Sequence, residues 1–238
     1  MFKIKYLTKT LSYLQIKNKK IKIKKLKIKG FIEYIDQILE ITRENTHTVK
    51  GFFSATIVSE IEDIILSNII DAVKVEIGSV KAPARTIYQK FTYCTNEDGK
   101  LIALRNFFKD NFEPPMIIFV EGINKLLSLY EEIKFDFPKI SYLHSKMSKN
   151  EREESIKNFR CGETWILICT DLLSRGIDFK NVKTVLNYDC PYNPINYIHK
   201  IGRTGRAGKI GKAYTFIVDD DIGKLRSMSK MLSEIVIF

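Results

Sequence analysis

The feature that most restricts the fold is a set of short apolar runs with no polar face. Residues 116–120 (Met-Ile-Ile-Phe-Val) and 165–169 (Trp-Ile-Leu-Ile-Cys) are continuous runs of five residues each. Strands of this kind must be covered on both sides. Around them the apolar residues recur at helical spacing: Ile57, Ile61, Ile64 and Ile65 and Leu101, Leu104, Phe107 and Phe108 before the first run, and again over 123–133 between the two. The pattern predicts further strands at 51–55, 73–77, 87–93, 182–188 and 213–218. Pro114 and Pro115 punctuate the chain before residue 116. Ser148 followed by Glu151 forms a capping box for a helix ending near Phe159. A turn over 191–194 precedes a helix through His199, and a helix closes the chain. Alternating strands and helices predict an α/β fold, a parallel sheet with helices on both faces. No internal repeat is present. In such sheets chemistry sits in loops beyond the carboxyl ends of the strands. The polar and glycine-rich clusters are therefore read at that edge.

Charge is unevenly placed. The formal net charge is +11, which suggests a nucleic-acid binder. Yet residues 1–29 hold eleven lysines and no acid, which leaves 28 basic residues against 28 acidic ones in 30–238. The excess belongs to a Lys/Ile-rich leader, read as a flexible solvated tail. A β-like alternation around Lys20–Lys29 and a phosphate-binding or nuclear-import role are the other readings. The leader has Lys rather than Arg and little Ser, which disfavours an organellar transit peptide. No apolar run approaches the roughly 18 residues of a membrane span, so no membrane partner is expected. No secretory signal is expected either. Cys94, Cys161, Cys169 and Cys190 form no C-x-x-C pair, which argues against a zinc ribbon and for a reducing compartment. His47, His144 and His199 are far apart, so no metal site is expected.

Three loop clusters carry chemistry. The first is Thr170-Asp171-Leu172-Leu173-Ser174-Arg175-Gly176-Ile177-Asp178, directly after an apolar strand. Backbone N–H groups near Gly176 suit a phosphate, and Asp178 suits ribose hydroxyls; the bland alternative is a polar turn with Asp171 as a helix cap. The second is His199-Lys200-Ile201-Gly202-Arg203-Thr204-Gly205-Arg206-Ala207-Gly208. Arg203 and Arg206 are three apart, so one helical turn would place two guanidiniums on one exposed face, suited to a transferring phosphoryl group. The third, Ser54-Ala55-Thr56, carries nothing alone.

Together these residues resemble the DEAD-box family of ATP-dependent RNA helicases, in order over 50–220. Ser54-Ala55-Thr56 is similar to the SAT motif, which implies that Ser54 and Thr56 couple ATP hydrolysis to unwinding. Phe119 resembles the aromatic that packs near the arginine loop. Residues 144–152 resemble H-G-x-M-x-Q-x-x-R, which implies RNA contacts for His144 and Arg152. The first cluster resembles T-D-x-x-x-R-G-x-D. It implies RNA-backbone contacts for Thr170, Arg175 and Gly176 and a nucleotide contact for Asp178. The second resembles H-R-x-G-R-T-G-R-x-G, implying that Arg203 and Arg206 are arginine fingers on ATP. Finer matches, Asp98-Gly99-Lys100-Leu101 and 165–170 with 175–182, resemble the Rok-type helicases of small-subunit ribosome assembly.

The departures bear on activity. The family's G-K-T phosphate loop and D-E-A-D metal site do not occur in the sequence; Ile21-Lys22-Ile23-Lys24 stands where the latter would fall. Ser145 replaces Gly, Lys149 replaces Gln and Lys200 replaces Arg. The expected organisation is a basic leader (1–29), a remnant of the first RecA-like lobe (30–80) and the C-terminal RecA-like lobe (81–238). The resemblance implies ATP as cofactor, with Mg²⁺ only beside a complete first lobe. It implies RNA, in particular pre-rRNA, as partner, a first lobe or activating protein as another, and a nuclear or nucleolar location, with the cytoplasm as the other. Two readings stand: part of a helicase from a truncated or mis-started gene, inactive alone, or a non-catalytic RNA-binding or assembly module.

Overall fold

The computed structural model describes residues 13–16, 19–22, 40, 51–52, 59–68, 73–75, 86–171, 179, 181–206 and 208–232. The chain divides into two compact units, Met1–Val80 and Lys81–Phe238. In the first, β1 (Tyr13–Ile16) and β2 (Lys19–Lys22) pair antiparallel, with Tyr13 opposite Lys22. These strands fall within the leader read from sequence as a flexible tail. Helix α1 spans Ser59–Asn68, and Lys74 Nζ lies 2.8 Å from a Glu62 oxygen. The strand expected over 73–77 does not form at 73–75, where Val73 and Val75 are exposed. Apolar alternation is not enough for a strand where the alternating side chains stay in water.

The second unit is built on β3 (Ile87–Tyr93), α2 (Glu97–Asn111), β4 (Met116–Phe119), α3 (Ile123–Ile133), β5 (Ile140–Leu143), α4 (Lys149–Cys161), β6 (Ile166–Cys169), β7 (Thr184–Asn187), α5 (Pro194–Ile201), β8 (Gly211–Ile217) and α6 (Ile222–Leu232). Its six strands are all parallel, in the order β3-β8-β7-β4-β6-β5. The continuous apolar runs occupy the centre: every residue of β4, β6 and β7 is buried. Met116, Ile118 and Val120 face α2 and α3, packing on Leu104, Phe107, Leu126 and Ile133. Ile117 and Phe119 face the other way, toward Phe159 of α4. On that same face Tyr197 and Ile201 of α5 and Met228 of α6 cover Ala213 of β8. Burying one such Leu, Ile or Phe side chain stabilises by roughly 1.5–3 kcal/mol.

The helix boundaries follow local chemistry. Asn96 caps α2 by accepting the Gly99 N–H at 2.8 Å. The Ser148–Glu151 capping box opens α4, and left-handed Gly162 closes it. Asn193 caps α5, with Pro194 in the first turn. Strand β5 has no counterpart in the sequence reading. It is an edge strand whose Ser141 hydroxyl lies 2.9 Å from that of Ser155, so it lacks the apolar run that marks its neighbours.

Candidate nucleic-acid and nucleotide interface

Strand register brings two predicted residues together. Leu143 of β5 pairs with Cys169 of β6, so His144 and Thr170 leave the sheet side by side at its carboxyl edge. Both are nearly buried. The His144 ring stacks parallel to Tyr142 with centroids 5.7 Å apart, and its backbone N–H donates to Met147 Sδ. His144 Nδ1 is enclosed with no hydrogen-bond partner among the described residues. Arg152, in the first turn of α4, donates from Nε to the Ser148 carbonyl at 3.4 Å. Lys149 is exposed, 3.9 Å from Glu153. Arg175, Gly176 and Asp178, and likewise Ser54 and Thr56, lie outside the described residues.

The arginine cluster is placed differently from the sequence reading, which put it at the carboxyl edge. Helix α5 leaves β7 at that edge and runs back along the sheet. Its last turn therefore delivers residues 203–206 to the amino edge. There the Thr204 hydroxyl bonds the carbonyls of Val182 and Lys183 at 2.7 and 2.8 Å, just before β7. The Thr86 hydroxyl, just before β3, donates to the Gly205 carbonyl at 3.0 Å. Gly205 has φ +65°. A Cβ on Gly211 would stand 2.4 Å from the Gly205 nitrogen, so the turn and β8 meet backbone to backbone.

The arginines share one arrangement. Arg203 Nε donates to the His199 carbonyl at 3.0 Å, and Arg206 Nε donates to the Gly202 carbonyl at 2.8 Å. Each guanidinium is thus held against the carbonyl four residues earlier. Helix α5 itself stops at Ile201, so the shared direction comes from the turn and not from a continuing helix. Arg203 is 7% exposed, a correction to the expectation of two exposed guanidiniums; Arg206 is half-buried. Two clamped guanidiniums suit a polyphosphate, so these residues fit the nucleotide that the resemblance implies. Among the described residues no three His, Cys, Asp or Glu side chains converge to hold a metal ion.

The family model for the helicase conserved C-terminal domain matches residues 99–208. The ATP-dependent RNA helicase ROK1 of Saccharomyces cerevisiae is 40% identical over 211 residues, 88% of this chain and 37% of that protein. The solved C-terminal domain of the DEAD-box protein Dbp5 is 34% identical with a TM-score of 0.57, over 63% of this chain and 86% of that one. The chain belongs to the DEAD-box helicase family.

Its six-stranded unit is the RecA-like C-terminal lobe of that family. Saccharomyces cerevisiae Dbp5 bound to RNA and ADP BeF3 matches at a TM-score of 0.71 and 31% identity, over 83% of this chain and 52% of that one. The chain spans just over a third of the length of ROK1.

Two features of this DEAD-box lobe escaped the sequence reading. The first is a buried ionic hub at Asp189, just past β7. Its carboxylate accepts from Lys100 Nζ at 2.9 Å, Lys125 Nζ at 2.5 Å and the Glu121 N–H at 2.7 Å. Glu97 pairs with both lysines. A lysine three residues after Glu97 in a first turn reads as an exposed local pair, and nothing in the chain links it to residue 189. The second is Lys200. It was singled out only as a departure from Arg, yet it is buried and paired with Asp171 at 2.7 Å.

Proposed function

We propose that this chain is the second RecA-like lobe of an ATP-dependent RNA helicase that remodels pre-rRNA during rRNA processing and small-subunit assembly. Residues 30–80 are the remnant of a first lobe, and the location is the nucleus or nucleolus. One observation carries the reading: Arg203 and Arg206 are each clamped to a backbone carbonyl in a turn locked to the sheet through Thr204 and Gly205. Pre-set guanidiniums stabilise charge on a transferring phosphoryl group without reorganising.

In this reading ATP supplies the phosphoryl group, bound in a cleft between two lobes. Arg203 and Arg206 face its phosphates and Asp178 its ribose. The adjacent His144 and Thr170, with Arg152, Arg175 and Gly176, contact RNA backbone, and Ser54 and Thr56 couple the two events. Mg²⁺ belongs to a first lobe bearing G-K-T and D-E-A-D, which this sequence does not contain.

The test fuses such a first lobe to the amino end of this chain and measures RNA-stimulated ATP hydrolysis. Turnover is expected in the fusion, absent from the chain alone, and lost in Arg206→Ala. A fusion that binds RNA yet never hydrolyses ATP would favour a non-catalytic RNA-binding module.

A further inference from the structure

Strand β3 forms one edge of the six-stranded sheet, and its ladder to β8 uses only one side of its backbone. The Thr86 carbonyl accepts the Gly211 N–H, and the Cys94 N–H donates to the Ile217 carbonyl. Backbone groups alternate in direction along a strand, so the even-numbered residues face β8. The N–H and C=O groups of Ile87, Gln89, Phe91 and Tyr93 point the other way. Among the described residues they meet no backbone partner. Ile87 is only 6% exposed, and buried backbone groups are rarely left unpaired. Tyr88 and Lys90 are exposed on one side of the strand, and Phe91 is half-buried on the other. A seven-residue edge with neither proline nor bulge is a template for a further strand.

The connectivity names the occupant. The crossover β7-α5-β8 steps one strand toward β3, with Tyr197 and Ile201 of α5 packed on that face of the sheet. Helix α6 follows β8 on the same face, where Met228 and Leu225 join Ile87 and Phe91 of β3 in one apolar cluster. Crossovers between parallel strands share one hand, so a strand after α6 is directed to the same side. There β3 already holds the place next to β8, and the next place lies beyond β3. Residues 235–238 are Ile-Val-Ile-Phe, a continuous apolar run rich in β-branched side chains. Only Ser233 and Glu234 separate them from the last residue of α6, an ordinary length for a helix-to-strand loop.

We propose that residues 235–238 dock on the outer edge of β3 as a seventh parallel strand. The segment satisfies the outward backbone groups in the amino half of β3. Its apolar side chains cover Phe91 on one face and Tyr88 on the other. It also ties down the end of α6, whose Met228 closes the face shared with α5. With the edge filled, a second copy of the chain has no strand to pair with there. This role goes beyond the function proposed above and does not depend on it.

The experiment uses the full chain in solution. Amide hydrogen exchange followed by NMR compares Gln89 and Phe91, which face outward, with Tyr88 and Lys90, which face β8. In the wild type all four amides are expected to be protected, and NOE contacts are expected between residues 235–238 and 87–91. Val236→Pro combined with Ile237→Pro removes a donor toward β3 in either register. It is expected to speed exchange at Gln89 and Phe91 on the order of tenfold, the factor of one net backbone hydrogen bond, and to leave Tyr88 and Lys90 unchanged. Unprotected Gln89 and Phe91 in the wild type, or protection that survives the double proline variant, overturns the proposal. Protection lost on dilution, with a dimer in sedimentation, assigns the edge to a second copy and overturns it too. Should the variant not fold, the wild-type NOE contacts decide, and their absence overturns the proposal.

Discussion

Asp189 and Lys100 form an ion pair 2.9 Å long across 89 residues of chain, with side chains only 5% and 2% exposed. Charges this deep are retained only when satisfied. Here Lys125, the Glu121 N–H and Glu97 complete the set. The hub ties the start of α2 and the start of α3 to the end of β7. It thereby stiffens the carboxyl edge from which Thr170 and His144 project.

Asp189→Ala removes the shared anion and leaves the Lys100 ammonium buried against Glu97 alone. The expected cost is about 3–5 kcal/mol, the range for breaking one partner of a buried pair. Urea denaturation at neutral pH measures it. A loss below about 1 kcal/mol would place the pair in the class of exposed ion pairs.

The hub also gives stability a pH dependence of known sign. Burial opposes ionisation of Asp189. The Glu121 N–H, Lys125 and Lys100 together outweigh burial and hold the carboxyl below its ordinary value. Burial likewise opposes ionisation of Glu97, and Lys100 and Lys125 outweigh it. The folded pKa lies below the unfolded value of about 3.9 for Asp. The unfolded chain therefore binds more protons in that window, and stability rises with pH. The contribution is complete above about pH 5 and is lost as pH falls through the folded pKa. Between pH 5 and pH 3 the wild-type urea midpoint should fall more steeply than that of Asp189→Asn. Parallel slopes would contradict this.

The arginine turn sets two glycines apart. A Cβ on Gly211 would stand 2.2 Å from Thr204 Oγ1 and 2.4 Å from the Gly205 nitrogen, whereas one on Gly223 of α6 would meet nothing within 4 Å. Gly211→Ala should cost about 1–3 kcal/mol by overpacking. Gly223→Ala should gain about 0.4–1 kcal/mol by restricting the unfolded chain. Thermal melting of both variants checks the contrast, and equal shifts would mean the turn yields.

Arg203 and Arg206 should separate on stability and agree on turnover. Arg203 is 7% exposed, so Arg203→Ala should cost about 1–3 kcal/mol, as for loss of a buried polar contact. Half-buried Arg206 should cost less when truncated. In a fusion with a complete first lobe, each should lower ATP turnover on the order of 10³-fold. Arg206→Lys should restore little, because a point charge cannot replace the fork. Turnover unaltered by Arg206→Ala would show this arginine to be structural.

The sequence alone determined the layered α/β plan, the central strands and the start of the helix that Ser148 caps. These are local matters: continuous apolar runs at 116–120 and 165–169 fit only a sheet covered on both faces, and Ser148 with Glu151 closes hydrogen bonds within one turn. It also determined the family, because residues such as Arg203, Thr204, Gly205 and Arg206 are adjacent and their order is readable. Strand β5 stayed hidden, since an edge strand with Ser141 and Tyr142 carries no such run. Only the tertiary structure decided that α5 runs back to place the arginines at the amino edge, that Arg203 is buried, that Lys200 meets Asp171 and that Lys100 meets Asp189. Each of these depends on which strands lie side by side. An ion pair spanning 89 residues is set by strand order and packing, and no spacing along the chain encodes it.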